Sequence, residues 1–153
     1  MEAFLLVLHV VAGILFVGPV AVASSLFPRY VPKTDGGVSS PRDEDRSERV
    51  ALALHRVTRV YGVLGIVVPI AGILLSLVQG RFGEIWIIIA MIITAVAGGL
   101  LAFRIVPAQA AAIASPPERR QLGRLGTLAG VFNLIWAAVV ILMVVRPGSH
   151  YVS

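Results

Sequence analysis

Residues 4–27 read FLLVLHVVAGILFVGPVAVASSLF and carry no charged side chain. No soluble core of this chain length needs an uninterrupted apolar run of that size. Three further runs match it: Val60 to Val78, Ile85 to Phe103 and Leu125 to Val145. Each holds roughly 19 to 24 residues, and at about 1.5 Å per residue each spans a hydrocarbon layer of about 30 Å. Inside lipid the backbone must pair within its own segment, which requires helices. The alternating pattern of barrel strands is missing. The expected fold is all-α: a polytopic membrane protein, a four-transmembrane-helix bundle forming one domain over residues 1–153.

Composition agrees. Of the 153 residues 58% are hydrophobic and 14% charged, with a mean hydropathy of +0.91; a soluble domain carries about a quarter charged residues. The net charge of +5 does not imply nucleic acid, because the arginines lie in short segments between apolar runs, where they serve topology. Cysteine is absent, which excludes disulfides, thiolate catalysis and iron–sulfur or zinc–cysteine sites. Ala21-Val22-Ala23 resembles a signal-peptidase site, but Glu2 precedes the apolar run and Arg29 and Lys33 follow it. Secretory signals have the reverse charge order, so the first helix is expected to be retained.

Charge placement sets an expected orientation. The connections 28–59 and 104–124 hold Arg29, Lys33, Arg42, Arg46, Arg49, Arg56, Arg59, Arg104, Arg119, Arg120 and Arg124. Thirteen Lys and Arg less Arg81 and Arg146 leaves these eleven. Basic residues accumulate on the cytoplasmic side, so both connections are expected inside a bacterial plasma membrane, with both termini and the hairpin Gln79 to Glu84 outside. Within the first connection, Ser40 then Pro41, with Asp43 and Glu44 next, reads as a helix start. The second helix is therefore expected to begin near Pro41. Pro107 and Ser115-Pro116-Pro117 are expected to break the second connection, and Pro19 and Pro69 to kink their helices.

Few residues offer chemistry. All eight acidic residues, from Glu2 to Glu118, lie outside the spans, which counts against a proton-coupled pathway. No phosphate loop, carboxylate pair or metal-binding helix motif occurs, so no catalytic residue and no metal site is assigned. His9, five positions into the first span, is the most informative side chain: an imidazole there needs a partner or ligates something. His55 is expected at the opposite face, too far to share an ion with it, whereas His150 is on the same side. Asn133 is expected to make an interhelical hydrogen bond. Gly62, Gly65, Gly72, Gly98, Gly99, Gly123, Gly126 and Gly130 read as packing positions. Trp86 and Tyr61 read as belt residues of the two interfaces, and Trp136 as packing.

The order His9-Val-Val-Ala-Gly-Ile-Leu-Phe-Val-Gly18 resembles the opening helix of the copper-resistance CopD proteins and HemJ-type protoporphyrinogen oxidases, which begin with a histidine followed about nine residues later by glycine. Phe27-Pro28-Arg29-Tyr30, His55-Arg56-Val-Thr-Arg59 leading to Gly62 and Pro69, and Val144-Val145-Arg146-Pro147 are similar to later parts of those proteins. The nearest resemblance is to an actinobacterial-type family of four-helix integral membrane proteins. In HemJ-type proteins the first-helix histidine is implicated in heme b binding with a basic residue near the start of the third helix. The resemblance thus implies His9 as a heme b ligand. This chain departs at the second position, reading Ile87-Ile88-Ile89-Ala90-Met91 after Trp86.

The leading expectation is a non-enzymatic integral membrane protein, an accessory or structural subunit or homo-oligomer whose glycine-rich faces pack on partners within the lipid bilayer. A heme b-binding redox protein using His9, acting on porphyrinogen or quinone, is the first alternative. A copper or small-solute handling protein is the second. Met1, Met91 and Met143 are scattered and form no cluster suited to copper(I).

Overall fold

A computed structural model describes residues 1–32 and 47–148. Four helices account for nearly all of them: α1 Glu2–Tyr30, α2 Glu48–Val78, α3 Ile85–Ala114 and α4 Arg119–Val145. All four are long and apolar enough to cross a membrane. In the most apolar stretch of each, only 17–22% of the residues are buried within the chain. The remaining side chains, such as Ile14, Leu134 and Val144, face outward and require a solvent as apolar as themselves. The molecule is a multi-pass membrane protein of the four-helix-bundle class.

The helices run up and down, and each packs on its chain neighbours. At the end carrying the termini, α1 pairs with α2 and α3 with α4, and the two pairs meet only sparsely. Towards the opposite, arginine-rich end they converge: the second half of α1 packs on α4, and the end of α3 on the start of α2. One buried cluster lies midway, around Val17, Val20, Val68, Leu101, Ile105 and Phe132. A second closes the arginine-rich end, around Phe27, Val31, Ala51, Ala112, Leu122 and Leu125. There the Ser47 N–H donates to the Tyr30 carbonyl at 3.0 Å, tying the exit of α1 to the entry of α2.

The helices outrun the apolar runs. α3 does not stop at Phe103 but continues through Pro107 to Ala114, and α4 begins at Arg119 rather than Leu125. Glu118 and Gln121 form a reciprocal capping box there, the Gln121 side chain accepting from the Glu118 N–H at 3.1 Å; two orphan donors are satisfied and the polar first turns hold. α2 begins at Glu48 after an extended Ser47. The start expected at Pro41 lies outside the described residues.

Three helices lose regular geometry, and proline explains each case. α1 widens into a π-turn at Gly13–Val17, and α3 into another at Leu101–Ile105. α2 is interrupted at Gly65 and Ile66. A proline removes the donor for the carbonyl four residues back and clashes with it. For Pro19, Pro69 and Pro107 those residues are Leu15, Gly65 and Phe103, each inside its helix's irregular turn. At Gly65 the rescue is visible: its carbonyl accepts from the Val68 N–H at 3.1 Å instead. A wider or tighter turn thus lets a proline stay in a membrane helix. Pro107, expected as a breaker, is absorbed in this way. α4 contains no proline and no such turn.

Candidate functional site

His9 lies on α1 at the terminal end of the bundle, half-buried against α2. Its Nδ1 is 2.9 Å from the Val68 carbonyl oxygen. A carbonyl only accepts, so Nδ1 carries the proton and donates. Nε2 has no partner among the described residues. The seat for the ring is Gly72, one turn beyond Val68: a Cβ there would stand 2.9 Å from His9 Cε1 and 3.2 Å from Nδ1. This glycine is a packing position because the imidazole occupies the space of its missing side chain. Gly72 clears the room in which the ring reaches the Val68 carbonyl.

Asn133, on α4, donates through Nδ2 to Ser25 Oγ of α1 at 2.9 Å, and Ser25 passes its own proton to the Ala21 carbonyl at 2.7 Å. This is the interhelical bond the sequence led us to expect. His55 lies towards the other end and meets Gln109 of α3, with Nδ1 3.2 Å from Oε1. Gln109, only 1% exposed, gave no signal in the sequence because it follows Pro107 in what reads as a connection. Gln109 Nε2 and Asn133 Oδ1 are enclosed without partners among the described residues. At the terminal end, Arg81 and Glu84 pair at 3.3 Å, the Trp86 indole donates to Glu84, and the Arg146 guanidinium sits 5.8 Å from the centre of the Trp86 ring. These contacts tie the hairpin to the end of α4.

Between the two helix pairs lies a cleft with about 500 Å³ of space, part of it continuous with the exterior. Its walls include Phe16, Tyr61, Thr94, Gly98, Phe132 and Trp136. Tyr61 packs on Phe16, centroids 6.5 Å apart, and so sits level with the middle of α1. The belt position expected for Tyr61 is not where its ring lies, because α2 starts a dozen residues earlier than its apolar run.

His9, His55, Asn133 and the cleft are therefore separate features. His9 and Asn133 meet different partners on different helices, and among the described residues no group of three metal-ligating side chains assembles. His150 lies outside the described residues. Comparison with protein-family models, with curated proteins and with solved structures finds no match.

The His9 seat has a direct test. Gly72→Ala places a methyl against the imidazole and displaces it from Val68, which is expected to lower stability by about 1–3 kcal/mol, the usual cost of overpacking. In the His9→Ala background the same methyl meets open space, so most of that cost should vanish. Reversible unfolding in mixed micelles, run as a double-mutant cycle, measures the coupling.

Proposed function

We propose that the chain is a non-enzymatic integral membrane subunit that assembles with another membrane-embedded helix through the outward face of α4. The carrying observation is an inversion of the usual glycine arrangement. Gly123, Gly126, Thr127 and Gly130 lie within roughly 100° of the helix circumference, and all four are exposed. A Cβ built on any of these three glycines meets nothing within 4 Å. The residues that α4 buries, including Leu125, Ala129, Phe132 and Val139, lie on the other side. Gly126 to Gly130 is a small-xxx-small spacing, and Thr127 turns its hydroxyl inward to the Gly123 carbonyl at 3.0 Å. That leaves a shallow, apolar groove. Within lipid, helices associate by close backbone approach at such faces rather than by hydrophobic burial. The partner is a second copy or another membrane subunit.

The same reading places the chain in a bacterial plasma membrane with both termini outside. Eleven basic residues in the connections 28–59 and 104–124 support it, set against Arg81, which is paired with Glu84, and Arg146, which covers Trp86.

One observation favours a second reading, a heme b-binding redox protein with His9 as ligand. Metal-bound histidines characteristically donate their other ring N–H to a carbonyl or carboxylate, which fixes the tautomer. Nδ1–H on Val68 with Nε2 unpartnered is that arrangement. His9 would hold the heme iron through Nε2; the position after Trp86 offers no second ligand. For copper handling, no group of three metal-ligating side chains stands among the described residues.

Gly126→Ile and Gly130→Ile fill the groove, and the added Cβ meets nothing within 4 Å inside the chain. Cross-linking in native membranes should show oligomers or a heterologous adduct for the wild type and at least a tenfold loss in either variant; a wild-type chain that stays uncross-linked overturns the assembly reading. Because the chain has no cysteine, single replacements report topology: an impermeant maleimide should label Gly83→Cys on intact spheroplasts and Arg120→Cys only after permeabilisation. An absorbance spectrum of protein made with ample heme separates the second reading. A Soret band abolished by His9→Ala supports it, and a colourless preparation removes it.

A further inference from the structure

We infer that the cleft between the two helix pairs binds a lipid-soluble ligand that carries a hydrogen-bond acceptor, a ketone or ester carbonyl, on a compact apolar body. This site is distinct from the α4 groove and does not depend on it.

The irregular backbone converges on this cleft. Val17 of the α1 π-turn, Gly65 and Ile66 of the α2 interruption and Leu101 of the α3 π-turn all belong to its walls. Non-helical backbone at membrane depth persists where it lines a cavity or is buried in protein, and π-turns gather at functional sites. Three separate helices have given up regular geometry at one place, whereas α4, the fourth wall, is regular.

The polar groups on the walls point the same way. Tyr61, Thr94 and Trp136 bring a phenol, an alcohol and an indole N–H to the lining, and none has a hydrogen-bond partner among the described residues. None is sealed either, since the enclosed side-chain atoms without partners are those of Gln109 and Asn133. Thr94 lies nine residues beyond Ile85, roughly 13 Å along α3, and Tyr61 is level with Phe16 at mid-helix. Lipid ester groups and interfacial water do not reach that depth, so these donors go unpaired unless the occupant brings an acceptor. A hydrocarbon chain cannot do so.

What the walls lack narrows the ligand further. They contain no charged residue, so an ion or a phosphate finds no counter-charge. The four aromatic rings offer flat surfaces, and Gly98 offers open space, a Cβ there meeting nothing within 4 Å. About 100 Å³ of the cleft's space is cavity proper and the remainder opens to the exterior. A transmembrane helix of a partner is far too large for it.

The probe is benzophenone, an apolar ketone that cross-links to nearby C–H bonds on illumination, applied to the full chain in nanodiscs of palmitoyl-oleoyl-phosphatidylcholine. Labelling is expected on peptides of α2 and α3 that flank the cleft. Fluorenone should compete at a concentration at least tenfold below that of fluorene, which has the same shape without the carbonyl. The triple variant Tyr61→Phe/Thr94→Val/Trp136→Phe, verified as folded by circular dichroism, should lose that preference. Gly98→Leu should abolish the labelling by filling the cleft. Equal competition by fluorene and fluorenone overturns the proposal in favour of a hydrocarbon-filled groove. Labels scattered over the lipid-facing surface, or a carbonyl preference that persists in the triple variant, overturn it as well.

Discussion

In hydrocarbon no water waits to pair a backbone N–H or C=O that its own helix fails to satisfy. That constraint makes the four spans helical, and it makes each proline a local problem. Pro19, Pro69 and Pro107 each deprive a carbonyl of its donor, and each helix responds by changing its turn there. The Gly65–Val68 rearrangement is a local consequence of where Pro69 stands.

Packing follows from the same solvent. Lipid removes the gain from burying a leucine against another leucine, so contact between helices depends on close fit and on polar bonds. Gly72 admits the His9 ring, and Gly62 admits the Leu101 side chain, whose Cδ2 lies where a Cβ would be. Asn133 bonds to Ser25 across α4 and α1, and His55 to Gln109 across α2 and α3. Each bond joins a different helix pair, and His9–Val68 joins a third. Together they link all four helices, with no ion pair in the bundle's middle among the described residues.

Not every small residue serves the chain itself. Gly62 and Gly72 face neighbours, whereas Gly123, Gly126 and Gly130 face nothing within the molecule. A glycine in a helix costs roughly 0.5–1 kcal/mol relative to alanine in water. Three on one outward stripe repay nothing within the monomer, and an approaching helix is what such a stripe accommodates.

The number of spans, their helical form and the charge asymmetry of the connections were legible in the sequence, because lengths of apolar residues and counts of arginine are properties of the chain alone. The candidate residues were legible only as types: His9 and Asn133 stood out as polar groups in apolar runs, and Asn133 met its expected fate. Their partners were not legible. A backbone carbonyl such as that of Val68 leaves no mark in a sequence, and Gln109 was hidden behind a proline that reads as a helix breaker. Nor could composition separate a glycine that seats a neighbour from one that faces outward, since that depends on rotation about the helix axis. The four spans quoted at the outset were therefore determined by hydropathy, which is local. Which faces meet, where they part and which donors go unpaired were decided only in three dimensions, because packing in lipid is a matter of fit between distant segments.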